Sequence, residues 1–172
     1  MNARLPKDPL DDPIAEFVQA VDSFLSMNLD LETPAPIASN PNGGLDEVKR
    51  VWEEGKKALR RLHVSFTGVQ PEVTERLDAI SAKGSIVLSL TEDPHIIDPV
   101  NELMGLASEV RGLNDRLGSA LGKAESVLGF VFLFLELAGI KTRLEPLSAR
   151  IAAARDNLIS YNLMRARPDE PA

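Results

Sequence analysis

The side chains that could perform catalysis or bind a metal are present in this chain, but their spacing fits no known site. The two histidines, His63 and His95, are about thirty residues apart on different predicted elements. The chain lacks His-Glu-x-x-His and the pair of Glu-x-x-His motifs that a di-iron bundle requires. We therefore interpret both histidines as surface or helix-end residues and expect no metal and no cofactor.

Carboxylates and serines give no stronger indication of an enzyme. Adjacent carboxylates on a helix point about 100° apart, and such pairs are usually solvated or cap a helix. Such pairs include Asp11-Asp12, Asp46-Glu47, Glu53-Glu54 and Glu92-Asp93. No base accompanies the serines on one helix face, Ser81, Ser85 and Ser89, and no glycine-rich phosphate motif is found. We expect a protein that is not an enzyme.

One carboxylate, Glu136, stands apart because it lies in the apolar run GFVFLFLELAG. Three phenylalanines share this run: Phe130, Phe132 and Phe134. A desolvated carboxylate costs several kcal/mol unless it is paired. The sequence leaves two interpretations, either that Glu136 reaches solvent or pairs with Arg143 or Lys141, or that it is a functional buried acid or pH switch.

Asn114 occupies a position that is otherwise apolar in a long repeat. From Val100 to Ala138 the apolar residues alternate steps of three and four, which is typical of packed helices. A polar residue at such a position can fix the register and the number of partners, so self-association is one hypothesis. An asparagine at the solvent edge is the other. Glycines favour a break or a kink near Gly118 to Gly122, and the pattern leaves open whether this segment is one helix or two.

Composition narrows the class of partner. The net charge is −7 and the pI is near 4.9, which disfavours nucleic acids and anionic membranes. Basic residues cluster between Lys49 and Arg61, but glutamates are interleaved and indicate a solvated helix face. Cysteine is absent. The most apolar stretch, Val127 to Ile140, is about 14 residues where a bilayer requires roughly 20. We expect a cytoplasmic protein.

The patterning predicts an all-α, up-and-down bundle of about five helices. After a flexible lead over 1–11, Asp12 caps a helix that ends near Asn28, and a mobile loop follows over about 29–44. The next two helices are predicted from Leu45 to Leu62 and from Pro71 to Leu90.

A fourth predicted helix starts at Asp98-Pro99 and is capped by Gly139. The fifth has Pro146 in its first turn and ends near Met164, followed by a tail over 165–172. The predicted domain is thus a single bundle over 12–164.

From about Ser119 to Leu163 the chain shows a small-residue helix, the segment FVFLFLEL, the turn AGIK and an amphipathic helix ending in YNLM. This order resembles the second half of the N-terminal helical signalling domains of fungal NLR-like (STAND) proteins. It is also similar to the four-helix bundles of the HeLo and mixed-lineage-kinase-like families. The resemblance implies a role in signalling or cell death. HeLo domains usually open with a hydrophobic helix, whereas this chain begins MNARLPKDPLDDP, which argues against a membrane-inserting N-terminus.

These patterns favour a helical protein-interaction module, such as an adaptor in a signalling or cell-death assembly. Two alternatives remain. One is a membrane-active bundle that releases the 127–140 helix, and the other is a carrier that uses the phenylalanine-rich helix as the wall of an apolar pocket. An exposed apolar patch beside the phenylalanines would favour contact with a partner or a membrane.

Overall fold

A computed structural model describes residues 8–27, 38–124 and 126–166, and within the last helix it leaves out the side chains of residues 127, 128, 130 and 131. Over these residues the chain forms helices and no strand, which confirms the all-α prediction. There are four helices in the described residues rather than about five: α1 (Asp11–Leu25), α2 (Gly44–Leu90), α3 (Pro94–Lys123) and α4 (Val127–Arg165). The predicted lead, loop and tail fall largely outside the described residues.

The first helix, α1, is short because only one stretch of helical periodicity follows its start. The Asp8 carboxylate accepts the Leu10 N–H at 2.9 Å, and the helix begins at Asp11 rather than after a cap at Asp12. Its buried residues follow one another by three or four positions, so they form one apolar stripe: Ile14, Phe17, Val21 and Phe24. The helix ends at Leu25, before the predicted limit near Asn28.

The helices predicted on either side of Thr67-Gly68 are one helix, α2, of 47 residues. Pro71 lies inside it and lacks the N–H that would bind the Thr67 carbonyl. The Thr67 hydroxyl donates to the His63 carbonyl oxygen at 2.7 Å, a back-bond that helices accommodate by bending slightly. The apolar stripe keeps its register across this point, with Phe66 and Val73 both buried. The packing of apolar residues on both sides of Pro71 therefore stabilises one continuous helix by more than the proline destabilises it.

A second proline, Pro146, also lies inside a helix, α4. The predicted cap at Gly139 and the new helix near Pro146 were wrong, because α4 runs through both without interruption. The Thr142 hydroxyl, four residues before Pro146, donates to the Ala138 carbonyl at 2.8 Å. Buried Ile140 and Leu147 continue the stripe across the segment.

The long repeat beginning near Val100 is divided between α3 and α4. Asp93, not Asp98, caps α3, since its carboxylate accepts the His95 N–H at 3.0 Å and Pro94 fills the first turn. The helix passes Gly118 and Gly122 and ends at Lys123. Ser126 then caps α4 by accepting the Gly129 N–H at 3.0 Å. Of the two alternatives, a break and a kink, the structure has a break, and it lies just after Gly122.

The four helices form an up-and-down bundle in which each packs against two others. Helix α1 lies against α2 and α4, and α3 lies against the same two helices on the opposite side. Contacts between distant residues show that neighbours are antiparallel: Glu16 with Lys83, Asp22 with Arg155, Asp78 with Arg111 and Arg116 with Glu136. The core is aliphatic with few aromatic rings, and no charged or polar residue among those described is fully buried.

At Gly84, α2 lies close against both α1 and α3. A Cβ atom built there would lie 2.6 Å from the Met104 sulfur of α3 and 3.0 Å from the Phe17 ring of α1. A side chain at this position would therefore displace atoms of two other helices, so the packing of α1, α2 and α3 requires glycine here.

Candidate functional site

Within the part of the chain that the structure describes, the short length of α1 leaves one end of the bundle with three helices. On α2 the contacts of α1 extend to Arg76, which donates to the Ser23 carbonyl at 2.8 Å. On α4 they extend to Arg155, which pairs with Asp22 at 2.5 Å. Both longer helices continue well past these points, so the channel between α2 and α4 loses its covering helix beyond Leu25.

We call the part of this channel that no described helix covers the slot. It contains a cavity of about 50 Å³ whose walls come from α2 and α4 and whose floor comes from α3. The lining is almost wholly apolar: Phe66, Val69, Gln70, Val73, Val110, Leu113, Asn114, Leu117, Ile140 and Leu144. Small-molecule pockets measure about 300–1,000 Å³, so this cavity fits a side chain from a covering helix better than a bound ligand. The apolar-carrier alternative therefore gains no support from it.

Asn114, the polar position of the long repeat, lies on the floor of the slot. It is half-buried, between buried Leu113 and Leu117 on α3. Gln70, also half-buried, faces the same cavity from α2. These two amides are the polar groups of an otherwise apolar lining, so they would fix the register of a helix laid over it.

The N-terminal part of α2, residues 44–61, extends beyond the other three described helices. Phe66 of α2 lies beside Gly118 of α3, where a Cβ would be 3.4 Å from its ring. Only five residues of α3 follow Gly118, so an antiparallel α2 outruns α3 below about residue 61. Gly55 is the single buried residue of α2 described between 44 and 61. Leu45 and Val48 are exposed by 80% and 65%.

An ion-pair network stabilises the first turns of this segment. Arg50 binds Glu47 at 2.6 Å and Glu54 at 2.7 Å, and it also donates to the Ala38 carbonyl at 2.7 Å. The hydrogen bond from Arg50, reinforced by the Asn40 N–H, lowers the pKa of Glu47 to about 2. The pKa of Arg50 is raised by its hydrogen bonds to the two glutamates. These pairs fold residues 38–43 back along the start of α2.

Glu136 is neither deeply buried nor paired with the predicted partners. Its carboxylate binds Arg116 of α3 at 2.8 Å, and its side chain is 38% exposed. Arg143 and Lys141 lie on the same helix and do not reach it, although both are exposed. An exposed pair of this kind is worth about 0–1 kcal/mol, which is typical of a surface contact between helices.

The phenylalanines of the apolar run differ in their surroundings. Phe132 is 64% exposed, Phe134 is half-buried, and the side chain of Phe130 lies outside the described part of the chain. Leu135 is also exposed, by 65%, while Leu133 between them is buried. The run therefore presents apolar surface to solvent, which is the outcome that favours contact with a partner or a membrane.

Two open depressions follow the outer groove between α3 and α4. One of about 530 Å³ is bordered by Arg143 and Arg150, and one of about 300 Å³ by Phe132 and Lys123, with Arg116 at the edge of both. Arg116 already binds Glu136, and Arg150 lies 4.0 Å from Glu102. The outer groove is therefore charged and partly neutralised, in contrast to the slot.

His95 belongs to a hydrogen-bonded group at the opposite end of the bundle from the slot. Its ring lies 4.9 Å from that of Tyr161, whose hydroxyl donates to Asp93 at 2.7 Å. That bond lowers the pKa of Asp93 and raises the pKa of Tyr161. The group joins the last turns of α4 to the cap of α3, which is a structural role.

Arg165 completes this end by joining the two ends of the described chain. Its guanidinium binds Asp8 at 2.7 Å and Asp11 at 3.1 Å. His63 is exposed on α2, far from His95. Within the described residues there is no cluster of three or more side chains suited to a metal ion. No described helix carries an apolar stretch long enough to cross a membrane.

Comparison of the chain with protein-family models, with curated proteins and with solved structures finds no match. Function must therefore be inferred from the slot, the exposed segment of α2 and the outer groove.

Proposed function

We propose that this chain is a helical protein-interaction module that binds an amphipathic helix of a protein partner in the slot. The observation that carries the proposal is the end of α1 at Leu25, because beyond it no helix among the described residues covers the channel between α2 and α4. Helix-in-groove recognition needs an apolar channel with a few polar groups to fix the register. The slot supplies the channel, and Asn114 and Gln70 supply the polar groups.

The energetic basis is the removal of apolar surface from water. Each square ångström buried contributes roughly 25 cal/mol, so a helix laid over the half-buried edges Val69 and Leu144 gains with every side chain that it covers. No catalytic group is required for this role. The resemblance to signalling domains supports a place for the module in a signalling or cell-death assembly.

A photo-reactive residue placed at the slot tests the proposal directly. Benzoylphenylalanine at Gln70 should trap the occupying helix in the cells that make the protein, as a defined adduct identified by its peptides. The matched control is the same residue at Val64, which is 71% exposed on α2 away from the slot. Val69→Lys in the Gln70-labelled chain should abolish the adduct without loss of helicity. The proposal is wrong if position 70 gives no adduct, or if positions 64 and 70 give the same ones.

The second candidate is a membrane-active bundle, which the exposed Phe132 and Leu135 favour. Against it stand the acidic net charge and Glu136, since an acidic group at the centre of a bilayer costs roughly 2.5–3.5 kcal/mol on insertion scales. Dye release from anionic liposomes distinguishes the two candidates. We expect none at neutral pH, and release by the unmodified chain would rank the membrane function first.

A further inference from the structure

Two of the described helices, α2 and α4, contain a proline far from their ends, and the surroundings of the two prolines share one pattern. Pro71 of α2 and Pro146 of α4 each lack the N–H that would bind the carbonyl oxygen four residues earlier, at Thr67 and at Thr142. Each threonine hydroxyl donates to the carbonyl oxygen four residues before it, over 2.7 Å for Thr67 and 2.8 Å for Thr142. Missing hydrogen bonds and back-bonds of this kind allow a helix to bend. Both helices therefore have a point at which they bend more easily than elsewhere.

The two prolines lie near the same height of the bundle, and α3 connects them. Gln70, which precedes Pro71, lines the slot cavity together with Leu113 of α3. Leu113 also lines the outer depression of about 530 Å³, together with Gly112 and Pro146. Gly112 is exposed, and glycine is a weak helix former. At the height of Leu113, each of the three described helices that cross it therefore carries a residue that weakens the helix.

The ion pairs between helices lie on both sides of this height. Lys83 of α2 and Arg155 of α4 bind carboxylates of α1 on one side of it. On the other side, Arg116 of α3 binds Glu136 of α4 at 2.8 Å. Each end of the bundle therefore has contacts of its own that hold its helices together, and the height of Leu113 lies between the two sets.

We propose that Pro71, Gly112 and Pro146 form one hinge, about which the end that contains the junction of α3 with α4 bends relative to the end that contains α1. Hinges concentrate the change of dihedral angles in a few residues, and packed helices bend together only where their weak points coincide in height. Leu113 lines both the slot cavity and the outer depression, so the bend changes the width of both. The hinge is a property of the bundle itself and does not depend on what the slot binds.

Hydrogen exchange of the full chain, followed by mass spectrometry, tests the hinge. The amides at its height are those of residues 68–75 in α2, 109–116 in α3 and 143–150 in α4. They should exchange faster than the amides of residues 77–87, which belong to the part of α2 packed between α1 and α3. The three groups should also share one protection factor, because a single motion opens all of them. Equal exchange at the hinge and over residues 77–87 would overturn the inference.

Two glycines of α3 provide a matched pair of variants. At both Gly112 and Gly105 a Cβ atom would meet no atom of the described residues within 4 Å, so both alanine variants should fold. Alanine favours a helix over glycine by an amount that corresponds to roughly a fourfold to fivefold change in an opening equilibrium. Gly112→Ala should slow exchange at the hinge amides of α2 and α4 by about that factor. Gly105→Ala, two turns away, should leave these amides unchanged.

The decisive measurement is made in helices other than the one substituted, because their own sequence and intrinsic exchange rates are unaltered. Pro71→Ala restores a donor to the Thr67 carbonyl, and it should slow exchange at residues 143–150 of α4 by more than Gly112→Ala does, since proline is the poorer helix former. The three helices do not bend together, and the inference is wrong, if Gly112→Ala slows exchange in α3 alone. It is equally wrong if Gly105→Ala and Gly112→Ala have the same effect on α2 and α4.

Discussion

Two glycines of α2 should respond in opposite ways to the same substitution. Gly84 faces the core, where a Cβ would lie 2.6 Å from the Met104 sulfur, 2.9 Å from its Cγ and 3.0 Å from the Phe17 ring. Gly68 faces solvent, and a Cβ atom there would have no neighbour within 4 Å. Gly84→Ala and Gly68→Ala therefore change helix propensity by the same amount, but only Gly84→Ala places a methyl group against neighbouring side chains.

The expected free energies follow from these distances. Glycine to alanine within a helix gains roughly 0.8–1 kcal/mol, so Gly68→Ala should raise the free energy of unfolding by about that much. Gly84→Ala receives the same gain, but contacts below 3 Å force Met104 and Phe17 to move. Such overpacking typically costs about 1–3 kcal/mol. The two variants should thus differ by roughly 1–3 kcal/mol, or by about 2–12 °C in melting temperature for a domain of this size.

Urea unfolding followed by far-ultraviolet circular dichroism measures this difference. The slope of the free energy of unfolding against urea concentration should be the same for both variants and the unmodified chain, since neither alanine alters the surface exposed on unfolding. Met104→Ala completes a double-mutant cycle, and it should cost less in the Gly84→Ala background than in the unmodified chain. Equal stabilisation by the two alanines, or a cycle without coupling, would refute the close packing of α1, α2 and α3 at Gly84.

Three further predictions concern other parts of the fold. Tyr161→Phe should destabilise the chain at neutral pH, as a lower urea midpoint than that of the unmodified chain. This difference in midpoint should shrink as the pH falls below about 4. The hydrogen bond lowers the pKa of Asp93 in the folded state, so the stability that it provides is present above the pKa of the unfolded state and is lost when Asp93 is protonated. Pro71→Ala should stabilise α2, by up to about 3 kcal/mol in thermal or urea unfolding, whereas a loss of stability would show that the helix ends there. Glu136→Gln should change the free energy of unfolding by no more than about 1 kcal/mol, as expected for its exposed pair with Arg116, and should cause no liposome leakage.

The helical class of this chain follows from its apolar periodicity, but the division into helices does not. The stripe that contains Phe17 and Val21 predicts which side of α1 is buried, because burial and periodicity have the same cause. Pro71 and Pro146 each favour the end of a helix, but each proline affects the hydrogen bonds of only a few backbone groups. The apolar contacts of α2 and α4 extend on both sides of them, so tertiary packing decides the outcome.

The slot could not be predicted because it depends on unequal helix lengths. Treating 45–62 and 71–90 as separate helices concealed a helix of 47 residues that is far longer than the 15 residues of α1. The continuous stripe through Phe66 and Val69 was the signal that could have joined them. Asn114 was recognised as exceptional from its position in the repeat, but its place in the slot depends on where α1 ends. The partner of Glu136 was missed because Arg116 comes from another helix, twenty positions away.

The shortness of α1 also governs the order in which the bundle opens. A helix of 15 residues is marginally stable by itself, so α1 folds as it docks. Its contacts with α4 join residues 133 and 154 positions apart, through Asp22 with Arg155 and Asp11 with Arg165. Contacts between residues this distant in sequence form late in folding, because closing the long intervening loop costs conformational entropy. The amide protons of α1 should therefore exchange with solvent through undocking of α1 alone, at a lower free energy than those of α3.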